Sequence, residues 1–273
     1  MIPPTSIDGT DITGATIDGT DVQEITVDGD VVFSAGPSNL PVAYSNLIAW
    51  YPFDTATYGG SNTDDVTAIL GGSGDDTAYD GNNNGLTYQS SGGADDINGG
   101  SSSGYYFGDT DGETMDLLPQ SATAGDELSI SAWIKPLSSG NNEIPGGNIS
   151  SGSTAQVLFI INSSNGMVLG NNVNGSFQSS IDGGNPTVNS WNHVVGTVNA
   201  SAGTREIYLN GSSVATGTMD TGTITAPDPN YPFKIGEEFN GSPEIDGEID
   251  DLRFYNKELS SSEVNQIISN TQP

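Results

Sequence analysis

Residues Leu128 to Ile134 read LSISAWI, an alternation that puts Leu128, Ile130, Ala132 and Ile134 on one face and Trp133 on the other. A period of two is that of a β-strand, and it constrains this chain more than any other pattern in it. Val157 to Ile161 (VLFII) is a continuous apolar run, the pattern of a strand covered on both sides. Further strands are expected within Leu47–Asp54, Tyr105–Phe107, Met115–Leu117, Trp191–Val198, Arg205–Leu209, Phe233–Ile235 and Ile249–Tyr255. Asn210-Gly211 separates two of them and is a strong hairpin signal, because a tight hairpin turn needs φ > 0 at both central positions. The one helical expectation is Ser260 to Ile268, where Ser260 and Glu263 stand at capping-box spacing.

Composition agrees with many short strands joined by polar turns. Of 273 residues 37 are Gly, none is Cys and 33% are hydrophobic, so any core must be gathered from inner faces of packed sheets. The stretch from Tyr58 to Gly104 carries few apolar residues and reads as long loops. Weak strands are expected there near Val66–Leu70 and Leu86–Tyr88.

Residues 5 to 34 form a ten-residue repeat, TSIDGTDITG, ATIDGTDVQE and ITVDGDVVFS. Ile7, Ile17 and Val27 align, each before an Asp-Gly pair, and Ile12, Val22 and Val32 fall halfway between. A spacing of five matches neither strand nor helix, and it predicts very short strands broken by Asp-Gly turns. Three such units cannot enclose a core. The segment is therefore expected to anchor to a partner or to copies of itself, with a homotrimer as the favoured state; a polar tail is the alternative. The pattern loosely resembles the short repeats of phage tail and fibre proteins. Residues 1–36 are taken as this segment, 37–43 as a linker and 44–273 as the main domain.

There are 35 acidic residues against five basic ones, a formal charge of −30. Phosphate-backbone binding requires clustered Lys and Arg, so nucleic acid is excluded as a partner. An anionic bilayer would repel the chain, and no apolar stretch approaches a membrane span. Two origins fit such acidity. One is a halophile, where concentrated salt screens self-repulsion; the other is an acidic, calcium-binding surface in moderate salt. The scarcity of Lys favours the first. The opening MIPPTSIDGT has no basic region and no apolar stretch of a secretory signal. Release by particle assembly and lysis, or prior removal of a signal, is expected.

Five segments taken together resemble the laminin G-like, concanavalin A-type jelly-roll family, which includes pentraxin-like lectin domains. They are LIAWYPFD (Leu47–Asp54), GYYFGDTDGETMDL (Gly104–Leu117), LSISAWIKP (Leu128–Pro136), Ser190–Gly217, and the stretch from Phe233 to Ile268. The resemblance implies an all-β, two-sheet antiparallel jelly-roll sandwich whose first and last strands are neighbours. That would bring Asp54 near Asp250 and Asp251. It also implies that Trp50, Trp133 and Trp191 occupy core positions, that His193 is structural, and that ligands are carbohydrate or protein.

Chemistry in the sequence points to oxygen-ligand metals. Asp80-Gly-Asn82-Asn-Asn84-Gly85 matches the opening of a calcium loop, with oxygen ligands at alternate positions and a Gly for the turn. Position twelve is Ser91, so the loop is not an EF-hand. Asp109 and Asp111 form a second candidate, and Asp54 with Asp250 and Asp251 a third that rests on the resemblance. A structural Ca2+ or Mg2+ is the expected cofactor. One His and no Cys exclude zinc. Tyr58, Tyr79 and Tyr105 are the loop aromatics that would stack on a sugar. The resemblance implies that glycosidase relatives on this scaffold carry paired Glu residues spaced E-x-D-x-x-E; that triplet is absent here, so no catalytic residue is assigned and the chain is expected not to be an enzyme.

The leading functional expectation is a virion structural protein (tail fibre, turret or capsid-surface spike) of a halophile's virus. It would be exposed on the virion surface, contact other virion proteins through the repeat, and bind a host-surface glycan or glycoprotein. The alternatives are an extracellular or cell-surface carbohydrate-binding adhesin of a halophilic prokaryote, and a glycan-active hydrolase.

Overall fold

The computed structural model describes residues 42–51, 53, 114–117, 120–139, 142–148, 155–225, 232–235 and 247–271. Of residues 44, 114, 120–121 and 142–144 it describes the backbone alone. It likewise describes the backbone of 6–7, 10–11, 16–17, 20–21, 24–27, 30–34, 82–84, 87–89 and 104–107.

The chain divides into two units, Met1–Pro41 and Val42–Pro273. The larger unit thus begins inside the expected linker. The smaller unit holds three antiparallel hairpins in tandem. They are β1 (Ser6–Ile7) with β2 (Thr10–Asp11), β3 (Thr16–Ile17) with β4 (Thr20–Asp21), and β5 (Glu24–Val27) with β6 (Asp30–Ser34). The terminal pairs are Ile7↔Thr10, Ile17↔Thr20 and Val27↔Asp30, so one Asp-Gly pair separates the strands of each hairpin. Repeat and secondary structure therefore share one period.

The strands of the larger unit are β7 (Leu47–Tyr51), β8 (Asn82–Asn84), β9 (Thr87–Gln89), β10 (Gly104–Phe107), β11 (Thr114–Asp116) and β12 (Glu127–Pro136). They continue with β13 (Asn142–Gly147), β14 (Val157–Ile161), β15 (Met167–Val173), β16 (Ser176–Phe177) and β17 (Ile181–Gly183). Last come β18 (Asn192–Asn199), β19 (Thr204–Leu209), β20 (Ser212–Thr218), β21 (Lys234–Ile235) and β22 (Gly247–Tyr255), followed by helix α1 (Ser261–Thr271).

Two antiparallel sheets result. The first runs β20-β19-β18-β12-β22-β10-β9, with β7 also on β22. The second runs β16-β15-β14-β13-β21-β11-β8, with β17 on β15. Between them lies one core. Leu128, Ile130, Ala132 and Ile134 enter it from β12, Val194 and Val198 from β18, and Leu252 and Phe254 from β22. Val157, Phe159 and Ile161 meet them from β14. Burial of each such side chain contributes about 1.5–3 kcal/mol. Leu158 and Ile160, the alternate residues of β14, are buried in a separate cluster with Ala155, as a strand covered on both sides requires.

Helix α1 covers the outer face of the first sheet. Val264 and Ile267 pack there with Leu47, Val195, Tyr208, Tyr255 and Leu259. Its start is the capping box read from the sequence. The Glu263 N–H donates to Ser260 Oγ at 3.3 Å, and the Ser260 N–H donates to the Glu263 carboxylate at 2.9 Å. The Asn210-Gly211 turn is also as expected, with φ of 50° and 80° at the two residues joining β19 to β20.

Candidate functional site

Outward residues of β12, β18 and β22 alternate with the core set, and under α1 they form a buried polar layer. Ser131 Oγ lies 3.0 Å from His193 Nε2, and the His193 ring meets Trp133 edge-on at 5.1 Å between centroids. The Trp133 indole donates to Thr271 Oγ1 of α1 at 2.8 Å. His193 is fully buried, and desolvation, reinforced by the nearby Arg253 charge, lowers its pKa to about 3. It is therefore neutral and shut away from solvent, which suits a structural group and not a proton carrier for an outside substrate.

Arg253 is buried beside it. Its Nε and Nη2 donate to Asp251 Oδ1 at 2.9 and 2.7 Å, and the Trp50 ring covers the guanidinium at 4.9 Å. Burial works against the Arg253 charge, and Asp251 and Tyr255 together outweigh it. Asp251 holds φ of 49°, inside a bulge where Ser131 pairs Arg253 and Trp133 pairs Asp250. At this bulge β22 changes neighbours, from β10 (through Ile249) to β7 (from Leu252).

Beyond the buried layer, one row of residues crosses the outer face of the first sheet. Lys135 of β12 is the register partner of Glu248 of β22, and Glu248 is in turn the partner of Tyr106 of β10. On the other side, Ile134 pairs Asn192 at the end of the β12–β18 ladder, and Trp191 is the residue just before it. The Lys135 ammonium donates to Glu248 Oε1 at 2.8 Å and stands 5.9 Å from the Trp191 ring centroid. Lys135 and Glu248 keep 24% and 12% of their side-chain surface, and Trp191 is half-buried. Trp133 conforms to the expected core placement, while Trp191 does not: it stands just before β18, at the end of the sheet.

Of the residues singled out from the sequence, Asp54, Tyr58, Tyr79, Asp80, Asp109 and Asp111 lie outside the described residues. Tyr105 is in β10, opposite Ile249 and Tyr88. The stretch taken for the turn of a calcium loop is extended at Asn82–Asn84, which form β8 along β11, with Asn82 opposite Asp116 and Asn84 opposite Thr114. Asp250 and Asp251 are adjacent and buried; Asp250 Oδ1 accepts the Asp251 N–H at 2.8 Å, and Asp251 Oδ1 is the counter-charge of Arg253. Among the described residues no three His, Cys, Asp or Glu side chains converge to hold a metal ion.

Two packed antiparallel sheets, with the last strand beside the first, set the frame for comparison with known proteins. The Laminin G family pattern, described as the concanavalin A-like lectin/glucanases superfamily, matches residues 107–265, more than half of the chain. The chain belongs to the concanavalin A-like lectin/glucanase superfamily. Comparison with curated proteins finds no sequence match. Among solved structures, this superfamily member is similar to Domain 4 of AbnA, an extracellular arabinanase from Geobacillus stearothermophilus, in complex with arabinotriose. The TM-score is 0.53 at 18% identity, over 81% of this chain and 98% of that one. It is similar to a mutant Trypanosoma rangeli sialidase displaying trans-sialidase activity, with TM-score 0.56 and 18% identity, over 82% of this chain and 32% of the sialidase. It is also similar to the binding domain of Paraclostridial Mosquitocidal Protein 1, with TM-score 0.53 and 15% identity, over 82% of this chain and 52% of that one. At these identities the likeness is one of fold.

Proposed function

We propose that the chain is a non-catalytic carbohydrate-binding protein, displayed on a virion from a saline habitat and held there through its N-terminal hairpins. The observation that carries the binding role is membership of a lectin/glucanase superfamily by a chain whose buried titratable groups serve its interior. His193 is sealed beneath α1 and Asp251 is engaged by Arg253, so neither is presented to a substrate. The arabinanase domain of the same fold is in complex with arabinotriose and matches this chain over 98% of its own length, which supports a saccharide ligand.

The display role rests on the tandem hairpins. Two-stranded ribbons this short do not stand alone in water, so Ser6–Ser34 calls for a covering surface, and copies of itself around a threefold axis would supply one. Several weak sites on one multimer would gain avidity. A charge of −30 suits concentrated salt. A secreted adhesin of a halophilic prokaryote is the second reading, favoured by the same acidity and lectin-like domain. A structural calcium ion bound at rim carboxylates is part of the proposal.

The experiment is a glycan array in molar salt, with calcium and with chelator, alongside mass determination of the chain with and without residues 1–36. Saccharide binding together with loss of oligomer on truncation is the expected result. A chain that binds no saccharide, or that cleaves one, overturns the binding reading; a monomer in both forms overturns the anchor.

A further inference from the structure

The geometry points to the row Trp191–Lys135–Glu248, on the outer face of the first sheet, as the saccharide platform, and to an uncharged glycan as what it takes. This rests on the carbohydrate reading above and adds where the ligand lies and of which class it is.

The row is built by register. The Lys135↔Glu248 ladder pair sets an ammonium beside a carboxylate, and the indole of Trp191, the residue just before β18, stands next to the ammonium. The chemistry of the middle pair suits a vicinal diol. A sugar hydroxyl can accept from an N–H of Lys135 and donate to the Glu248 carboxylate, and its neighbour can do the same, because the two groups already stand 2.8 Å apart. Trp191 offers an aromatic surface beside them for the C–H face of a pyranose or furanose. Trp133, one step inward on β12, is 4% exposed and is closed off by Thr271, so the platform begins where α1 ends.

The ligand class follows from an inventory of cations. The chain has five basic residues. Lys135, Lys234, Arg253 and Lys257 are paired with Glu248, Asp116, Asp251 and Glu263. The fifth, Arg205, is 3% exposed and donates to the Ser179 and Thr218 carbonyls. No surface cation is left to balance a uronate, sialate or sulfate, and such an anion would lie against the Glu248 carboxylate, within the roughly 3 Å screening length of molar salt. A neutral sugar meets neither penalty.

The test is isothermal titration in molar salt against neutral arabino-, xylo-, manno- and cello-oligosaccharides, and against oligogalacturonate and oligoguluronate. The variants are W191A, K135M and E248Q, each checked for an unchanged thermal melt. Acrylamide quenching of Trp191, with W191F as the blank, is read in parallel. The expected result is binding of a neutral oligosaccharide, protection of Trp191 from quenching, and a loss of affinity of at least about tenfold in W191A. A bound neutral oligosaccharide with wild-type affinity in W191A and no protection would sink the platform and leave the carbohydrate reading standing. Preference for the acidic oligomers would sink the ligand class. Absence of binding to every saccharide here and on the array would remove the carbohydrate reading and the platform with it.

Discussion

The Trp50 indole N–H donates to Asp251 Oδ1 across 2.6 Å, to the same oxygen that takes two hydrogen bonds from Arg253. This contact ties β7 to the bulge of β22, two strands at opposite ends of the domain sequence. It gives a buried guanidinium its counter-charge and fixes the indole over it.

Replacing Asp251 with Asn removes that counter-charge and leaves Arg253 buried beside a neutral group. Breaking a buried pair from one side costs about 3–5 kcal/mol. Urea unfolding of D251N should show a midpoint lowered by that amount. The double variant D251N/R253M should recover part of the loss, since no charge then remains buried. A D251N protein as stable as the parent would show that the pair contributes nothing.

His193 makes stability depend on acid. Its folded pKa is about 3, against an ordinary value of 6.5, so between these values the unfolded chain binds a proton that the native site refuses. The stabilisation is complete above pH 6.5 and is lost as pH falls toward 3, with a slope approaching about 1.4 kcal/mol per pH unit. Carboxylates act in the same range, so the difference between parent and H193Q isolates the histidine. Their stability curves should converge on acidification. Parallel curves from neutrality down to pH 3 would contradict the buried, neutral imidazole.

The capping box of α1 is open to a simple check. S260A removes the hydroxyl that accepts the Glu263 N–H and should cost about 1 kcal/mol. Because Lys257 and Glu263 also form an ion pair, E263Q should weaken both contacts. Denaturation of the two variants, with circular dichroism to confirm the fold, measures both effects.

Gly146 marks a place where only hydrogen fits. Its φ is 130°, and an added Cβ would lie 2.1 Å from the Lys234 carbonyl oxygen, a backbone atom of the adjoining strand. G146A should therefore destabilise by about 2–4 kcal/mol through strain and a forced shift of β13 from β21. A thermal melt unchanged in G146A would show that the two strands separate without penalty.

Legibility in the sequence followed the range of the interactions involved. LSISAWI declared its two faces because a period of two is local, and Asn210-Gly211 and Ser260/Glu263 declared a turn and a helix start because each signal spans four residues or fewer. The repeat at residues 5–34 announced its hairpins for the same reason. The pairing of Asn82–Asn84 with β11 was not legible, since alternating oxygen side chains serve a turn and an edge strand alike until a partner strand is present. Trp191 was expected in the core because the family resemblance implied it; its distance from the centre of the sheet was set by where the β12–β18 ladder ends.

By itself, then, the sequence determined its core strands, its hairpins, its helix cap and its overwhelming negative charge, all properties of neighbouring residues or of composition, while the two-sheet sandwich was implied by the family resemblance. Only the tertiary structure decided that Lys135, Glu248 and Trp191 share a row, and that Asp251 turns toward Arg253 and Trp50. Strand register and bulge position arise from long-range pairing, and one residue of slip would send each of these side chains to the opposite face.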